Sequence, residues 1–140
     1  KQYQAGIVAN ASMLAKTLIE EGLAIVSGGT DNHLMTVDLR PVGMTGKKAC
    51  AILEEVRITT NKNAIPNDPE KPMVTSGIRL GTPAVTSRGM GEREMKTIAK
   101  AIADVLKHPE DEDVRRQVLT TVDDLCRAFP LYESKVEAVR

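Results

Sequence analysis

Residues 58–88 read ITTNKNAIPNDPEKPMVTSGIRLGTPAVTSR, and this stretch decides how the chain is interpreted. It contains four prolines and shows no long helical periodicity, which predicts an irregular segment between regular elements. Long irregular segments inside compact domains are uncommon and are usually functional or disordered. Interspersed apolar residues, among them Ile65, Val74 and Ile78, argue against a solvated linker. We therefore expect a shaped loop that leads into a short strand.

The composition fits one globular domain and narrows the partners that it can have. With 140 residues, of which 41% are apolar, the chain can bury a substantial core. Basic and acidic residues number 19 each, so no net charge favours nucleic acid or an anionic membrane. Aromatic residues make up 2%, which leaves no platform for stacking bases. No apolar run is long enough for a membrane span and no secretory signal pattern is evident, so we expect a cytoplasmic protein.

The two cysteines, Cys50 and Cys126, lie far apart in the sequence. They suit free thiols in a reducing compartment, where disulfides are rare. A disulfide between them stays open, although their spacing does not favour one.

Hydrophobic periodicity predicts four helices. Gly22 stands where a left-handed cap would end the first helix, Thr45 is a candidate N-cap for the second, and Asp111 opens the fourth. Glu92 and Glu94 place negative charge in the first turn of the third, where the helix dipole favours it. The four apolar faces are formed by Ile7, Ala11, Leu14 and Leu18; Ala49, Ile52, Leu53 and Val56; Met95, Ile98, Ala99, Ile102 and Leu106; and Val114, Val118, Val122, Leu125 and Phe129.

Three strands are expected between these helices. An apolar strand over 23–27 reaches a polar turn at 28–32 and returns as an alternating strand over 33–39. The third strand is Gly77–Gly81, inside the opening stretch. Strands joined by short turns pair antiparallel, so we predict a two-layer α+β domain in which a small, mostly antiparallel sheet packs on helices.

Arg79 is the leading candidate for a ligand contact. In an extended strand it shares its face with Gly77 and Gly81, whereas Ile78 and Leu80 take the opposite face. Glycine in a strand often marks the close approach of a ligand or another backbone. A guanidinium matches a carboxylate with two parallel hydrogen bonds, which a lysine cannot do. The alternative is a surface arginine paired with an acidic residue.

The segment Asn61, Lys62 and Asn63 is a second candidate. Asparagine amides both donate and accept hydrogen bonds, which suits the edge of a heterocycle. Asparagines in loops more often bond their own backbone in turns, and on the residues alone the turn interpretation is preferred. His33 has no second ligand at metal spacing, and no serine has an evident base, so neither a metal site nor a catalytic triad is expected.

Three motifs in this order resemble the serine hydroxymethyltransferase family, in a bacterial form, and the resemblance runs through essentially the whole chain. The third motif is highly specific. The matching residues are Ser27-Gly28-Gly29-Thr30-Asp31-Asn32-His33-Leu34, Asn61-Lys62-Asn63 with Ile65-Pro66-Asn67-Asp68-Pro69, and Thr75-Ser76-Gly77-Ile78-Arg79-Leu80-Gly81-Thr82-Pro83-Ala84.

The resemblance implies a fold-type I pyridoxal-phosphate enzyme that interconverts serine and glycine with tetrahydrofolate as the one-carbon carrier. It implies that Arg79 binds the amino-acid carboxylate and that Asn63 contacts the pterin of the folate. The family's folate-lining stretch commonly reads Ser-Pro-Phe, whereas this chain has Lys71, Pro72 and Met73. The proline is kept, and the side chains on either side of it differ.

The cofactor lysine of the family lies in a threonine-rich segment that this chain lacks, and Lys62 stands in the wrong motif to replace it. The chain opens without an initiator methionine. We therefore expect residues 1–140 to form a single C-terminal small domain whose large domain carries the cofactor, and we expect no catalytic residue and no turnover in the isolated chain. The resemblance further implies a homodimer or tetramer for the intact enzyme.

Two alternatives remain open from the sequence. One is the small domain of another fold-type I enzyme, an aminotransferase or a threonine aldolase, which needs the carboxylate arginine and no folate loop. The other is a free-standing regulatory domain that binds an amino acid.

Overall fold

The computed structural model describes residues 2–26 and 33–130. The described elements are α1 Gln2–Glu20, β1 Ala24–Ile25, β2 Leu34–Asp38, a 3-10 turn Arg40–Val42, α2 Gly46–Glu55, β3 Asn61–Asn63, β4 Gly77–Gly81, α3 Pro83–Ser87, α4 Glu92–Lys107 and α5 Glu112–Ala128. The predicted turn at 28–32 and the greater part of the first family motif lie outside the described residues.

The four described strands form one sheet in the order β1-β2-β4-β3, and every neighbouring pair is antiparallel. Met35 and Val37 of β2 and Ile78 and Leu80 of β4 are buried on one face. Helices pack against that face, which confirms the predicted two-layer α+β class. The opposite face carries the polar strand residues.

The helical core is aliphatic, as the scarcity of aromatic residues predicts. Leu14 and Leu18 of α1 meet Met95, Ile102 and Leu106 of α4, and all five are buried. Buried aliphatic groups contribute roughly 1.5–3 kcal/mol each, so the packing of this helix pair stabilises the fold substantially. The fourth predicted helix is present as α5, but only Val118 of its apolar face is fully buried.

The predicted helix ends are confirmed where the structure describes them. Gly22 follows α1 with φ +94°, a left-handed conformation that glycine adopts at little cost. The Thr45 hydroxyl accepts a hydrogen bond from Lys48 N at 3.2 Å at the start of α2. Asp111 accepts from Asp113 N and Val114 N at the start of α5.

Three sequence-based expectations are wrong in detail. The first strand is two residues long, at Ala24–Ile25, not 23–27. Asn61–Asn63 forms the edge strand β3, so the preferred turn interpretation of these residues is incorrect. The short helix α3, Pro83–Ser87, was not expected at all.

Candidate functional site

Three strands present a polar surface on the side of the sheet away from the helices. Arg79 of β4 lies in register between Thr36 of β2 and Asn61 of β3. In the next row, Gly77 lies between Asp38 and Asn63. Because side chains two apart in a strand share a face, these residues form one surface, which we call the polar sheet face.

Arg79 is exposed on the polar sheet face, and its side chain makes no hydrogen bond or ion pair with any residue in the described ranges. This excludes the alternative of a structural arginine paired with an acid among those residues. The flanking glycines leave the Arg79 side chain without neighbours on its own strand, and they also allow the adjacent strands to pack closely. A Cβ at Gly77 would lie 2.8 Å from the carbonyl oxygens of Asn63 and Val37.

The acidic residue nearest to Arg79 in the strand register already forms an ion pair with another residue. Asp38 is held by Arg40, whose Nη2 lies 2.8 Å from Oδ2 and whose Nε lies 3.1 Å from Oδ1. The hydrogen bond from Arg40 lowers the pKa of the Asp38 carboxyl, so it is ionised at neutral pH. Because the Asp38 carboxylate is ion-paired with Arg40, the Arg79 guanidinium stays available for the carboxylate of a ligand.

Asn63 is oriented by two hydrogen bonds that use both hydrogens of its amide. Its Nδ2 donates to the Ala64 carbonyl oxygen at 3.0 Å and to Thr36 Oγ1 at 3.3 Å. A carbonyl oxygen can only accept, so the bond to Ala64 fixes which amide atom is nitrogen. The side-chain carbonyl oxygen of Asn63, Oδ1, remains as an acceptor with no partner in the described part of the chain.

The predicted folate-lining residues lie on a turn that precedes β4. Lys71, Pro72 and Met73 are all exposed, and the apolar Met73 side chain is 75% exposed. The turn is closed where Val74 N and Thr75 N both donate to the Lys71 carbonyl oxygen at 2.9 Å. A single exposed apolar side chain is common on protein surfaces, so the exposure of Met73 shows only that it is accessible to a ligand.

Thr75 lies at the junction between this turn and β4 and is strained. Its φ of +57° is rare for a β-branched residue and costs on the order of 1–3 kcal/mol. The surroundings hold it there: its hydroxyl donates to the Gly77 carbonyl oxygen at 3.0 Å, and its own carbonyl accepts from Gly46 N at 3.0 Å. Such strain concentrates at functional positions.

Asp68 organises the whole loop between β3 and β4. Its carboxylate accepts from Ile65 N at 3.2 Å, Glu70 N at 2.9 Å, Ser76 N at 2.8 Å and Ser76 Oγ at 2.7 Å. Partial burial raises the pKa of this carboxyl, but the four hydrogen bonds outweigh that effect and lower the pKa to about 2. Asp68 lies in the second family motif, but its sequence neighbours alone do not predict this role.

Other candidate chemistry is distant from this surface or weak. A mainly aliphatic cavity of about 370 Å³ between β4, α4 and α5 is lined by Leu80, Ile98 and Leu125, on the opposite side of the sheet from Arg79. Cys50 and Cys126 are both free thiols. Within residues 2–26 and 33–130, no cluster could hold a metal ion, and no helix is both long and apolar enough to cross a membrane.

The described residues form a small α+β domain with an arginine and an oriented asparagine amide on its polar sheet face and an exposed turn that precedes β4. A model of the family "Serine hydroxymethyltransferase" matches residues 1–102. A serine hydroxymethyltransferase of Rippkaea orientalis (strain PCC 8801 / RF-1) is 55% identical over 132 residues, which cover 94% of this chain and 31% of that protein. One from Polynucleobacter necessarius subsp. necessarius (strain STIR1) is 57% identical over 133 residues, 95% of this chain and 32% of that protein.

The chain belongs to the serine hydroxymethyltransferase family. It spans about a third of the length of the curated relatives that it matches.

Proposed function

We propose that this chain is the C-terminal small domain of a pyridoxal-phosphate-dependent serine hydroxymethyltransferase, which interconverts serine and tetrahydrofolate with glycine and 5,10-methylenetetrahydrofolate. The observation that carries the proposal is the exposed Arg79, which has no ion pair in the described ranges and stands on a glycine-flanked strand. The family membership supports the reaction. It disfavours the two alternatives, which are the small domain of an aminotransferase or a threonine aldolase and a free-standing regulatory domain that binds an amino acid.

In this proposal Arg79 binds the carboxylate of serine or glycine through two parallel charge-assisted hydrogen bonds. The β4 backbone fixes the direction of the guanidinium, since its neighbours Ile78 and Leu80 are buried in the core. Holding the carboxylate restricts rotation of the amino acid and so orients the bonds at its Cα, which is a contribution to catalysis by positioning.

The folate contacts in the proposal come from Asn63, Lys71, Pro72 and Met73. The free side-chain oxygen of Asn63, Oδ1, suits an N–H donor on the edge of a heterocycle. The exposed Met73 side chain offers apolar contact area, and a flexible thioether adapts to a ring surface.

The described residues fit the substrate end of such a site and do not fit cofactor attachment. Lys62 pairs in register with Ile78, so it points away from the polar sheet face, and no lysine takes a strand position on that face in the described ranges. Pyridoxal phosphate, when bound in the intact enzyme, supplies the electron sink for chemistry at Cα. Its attachment lysine belongs, in this proposal, to a large domain outside the chain, and the isolated chain has no turnover. The proposal includes a cytoplasmic homodimer or tetramer for the intact enzyme.

The proposal is tested by Arg79→Lys in the intact protein, with serine and tetrahydrofolate as substrates. Lysine keeps the charge but loses the bidentate geometry, so we expect kcat/KM for serine to fall about 10- to 100-fold, equivalent to roughly 1.5–3 kcal/mol. Arg93→Lys, at an exposed position of α4 without an ion pair in the described ranges, is the matched control and should leave kcat/KM within about two-fold. Near-normal activity of Arg79→Lys would refute the assigned role.

A further inference from the structure

The carboxylate of Asp68 ties together both ends of the loop that separates the two parts of the proposed site. Its four hydrogen-bond donors come from Ile65 at the beginning of the loop, Glu70 in the middle and Ser76 at the end. The exposed turn of residues 71–73 lies between Glu70 and Ser76. A single side chain therefore fixes the boundaries of this turn.

The same carboxylate fixes the start of the Arg79 strand. Ser76 donates to Asp68 through both its backbone and its hydroxyl, and its carbonyl oxygen accepts from Leu39 N at 2.9 Å. Ser76 directly precedes Gly77, where β4 begins, and directly follows the strained Thr75. A strand whose first residues shift carries its later residues with it, so the position of Arg79 depends on this anchor.

An uncharged replacement cannot reproduce the anchor. Asp68 receives hydrogen bonds on both oxygens, two on Oδ1 and two on Oδ2. In asparagine one of these atoms is an NH₂ group, which cannot accept, so at least one backbone N–H is left facing a donor in either orientation. The low pKa of Asp68 is consistent with an acceptor that is needed in its ionised form.

We propose that Asp68 is a positioning residue that sets the place of both Arg79 and the 71–73 turn, so that one carboxylate aligns the amino-acid contact with the folate contact. This inference rests on the proposed function. It assigns to Asp68 an effect on two ligands that it need not touch.

The test uses the intact protein and measures the dissociation constants of glycine and of tetrahydrofolate by calorimetry. We expect Asp68→Asn to weaken both ligands by about ten-fold, whereas Arg79→Lys weakens glycine and leaves tetrahydrofolate within about two-fold. Glu70→Gln removes one negative charge from the same loop, where the Glu70 side chain has no hydrogen-bond partner in the described ranges, and should leave both constants within about two-fold.

A double variant separates positioning from general stability. If Asp68 acts on glycine through Arg79, adding Asp68→Asn to Arg79→Lys should weaken glycine by less than about three-fold further, because coupled residues are not additive. Equal factors in both backgrounds would overturn the inference. So would a lower binding stoichiometry with unchanged dissociation constants, which is the signature of a partly unfolded protein.

Should Asp68→Asn fail to fold, Ser76→Ala removes only the hydroxyl donor to Asp68 and should weaken both ligands about two- to five-fold. Unchanged constants in Ser76→Ala would then contradict the inference. Failure of the proposed function looks different: in that case Arg79→Lys itself binds glycine normally.

Discussion

The amide nitrogen of Asn63 lies 3.3 Å from the hydroxyl oxygen of Thr36, although the strand β4 lies between their strands. The side chain can reach across because β4 places Gly77 opposite Asn63. Thr36 is also the register partner of Arg79. Because Gly77 has no side chain, Asn63 reaches Thr36 beside Arg79, and the three residues form one continuous surface.

The Asn63–Thr36 contact predicts how folate binding responds to substitution. We expect Asn63→Ala in the intact protein to weaken tetrahydrofolate by about ten-fold, the size of one lost hydrogen bond in a partly buried site, and to change glycine affinity by less than about two-fold. Thr36→Val removes one of the two acceptors that orient the amide, so its effect on tetrahydrofolate should be smaller. Equal losses for both ligands would contradict the division of roles between Asn63 and Arg79.

The close packing at the start of α2 predicts a large effect of a single methyl group. A Cβ at Gly46 would overlap Thr75 Oγ1 and the Gly77 carbonyl oxygen, and the second of these is backbone that cannot move freely. We expect Gly46→Ala to lower the free energy of unfolding by about 1–3 kcal/mol, measured by urea denaturation.

Gly6→Ala is the matched control for that substitution. A Cβ at this helical position would make an ordinary contact, 3.4 Å from Thr86 Cγ2. Alanine is favoured over glycine inside helices by roughly 0.5–1 kcal/mol, so the control should be neutral or stabilising. A destabilisation as large as that of Gly46→Ala would show that the effect is not specific to the loop contact.

The low pKa of Asp68 predicts a pH dependence of stability. Its folded pKa is about 2, below the ordinary value of 3.8, so its contribution is fully present above about pH 4 and is lost as the pH falls toward 2. The stability difference between the unmodified chain and Asp68→Asn should therefore shrink over that range, measured by denaturant unfolding at stepped pH.

Two charged neighbours, Asp38 and Arg40, also affect the pH dependence of stability near Asp68. Asp38 also has a lowered pKa, and Arg40 is charged throughout. Because both are present in the two proteins, their contributions cancel in the difference to first order. A difference that stays constant from pH 5 to about 2.5 would contradict the assignment of the low pKa to Asp68.

The connection between β4 and α1 predicts a smaller, purely structural effect. The buried Thr82 hydroxyl donates to the Ile7 carbonyl oxygen at 2.7 Å. We expect Thr82→Val, which keeps the shape and removes the donor, to cost about 0.5–1.5 kcal/mol in thermal or urea unfolding. Thr97→Val on the exposed face of α4 should change stability by less than about 0.5 kcal/mol, and a similar cost at both positions would argue against this hydrogen bond.

Much of the fold could be predicted from the sequence, because most of its helices and two of its strands follow short-range repeats of apolar residues. The apolar spacing of α1, α2 and α4 follows the helical repeat, and the alternation in Leu34–Asp38 and Gly77–Gly81 follows the strand repeat. Strand β3 is not predicted because asparagine and lysine have low strand propensity. Its formation depends on pairing with β4, whose partner residues lie 14 positions away at Asn63–Gly77 and 18 away at Asn61–Arg79.

The candidate site likewise contains residues that a local sequence pattern predicts and residues that it does not. The exposed position of Arg79 could be predicted, because alternation in a five-residue strand fixes the face on which its side chain lies. The role of Asp68 could not be predicted, because two of its four hydrogen bonds, both from Ser76, depend on a loop path that no sequence period describes. The left-handed Thr75 was equally hidden, since a β-branched residue carries no signal for that conformation.

The most direct test of the account is an experimental structure of the intact protein with bound glycine. We predict that both carboxylate oxygens of glycine lie about 2.7–3.2 Å from the guanidinium nitrogens of Arg79, in the parallel two-bond geometry. A glycine carboxylate bound by other residues, with the Arg79 guanidinium turned away from it, would contradict the central claim.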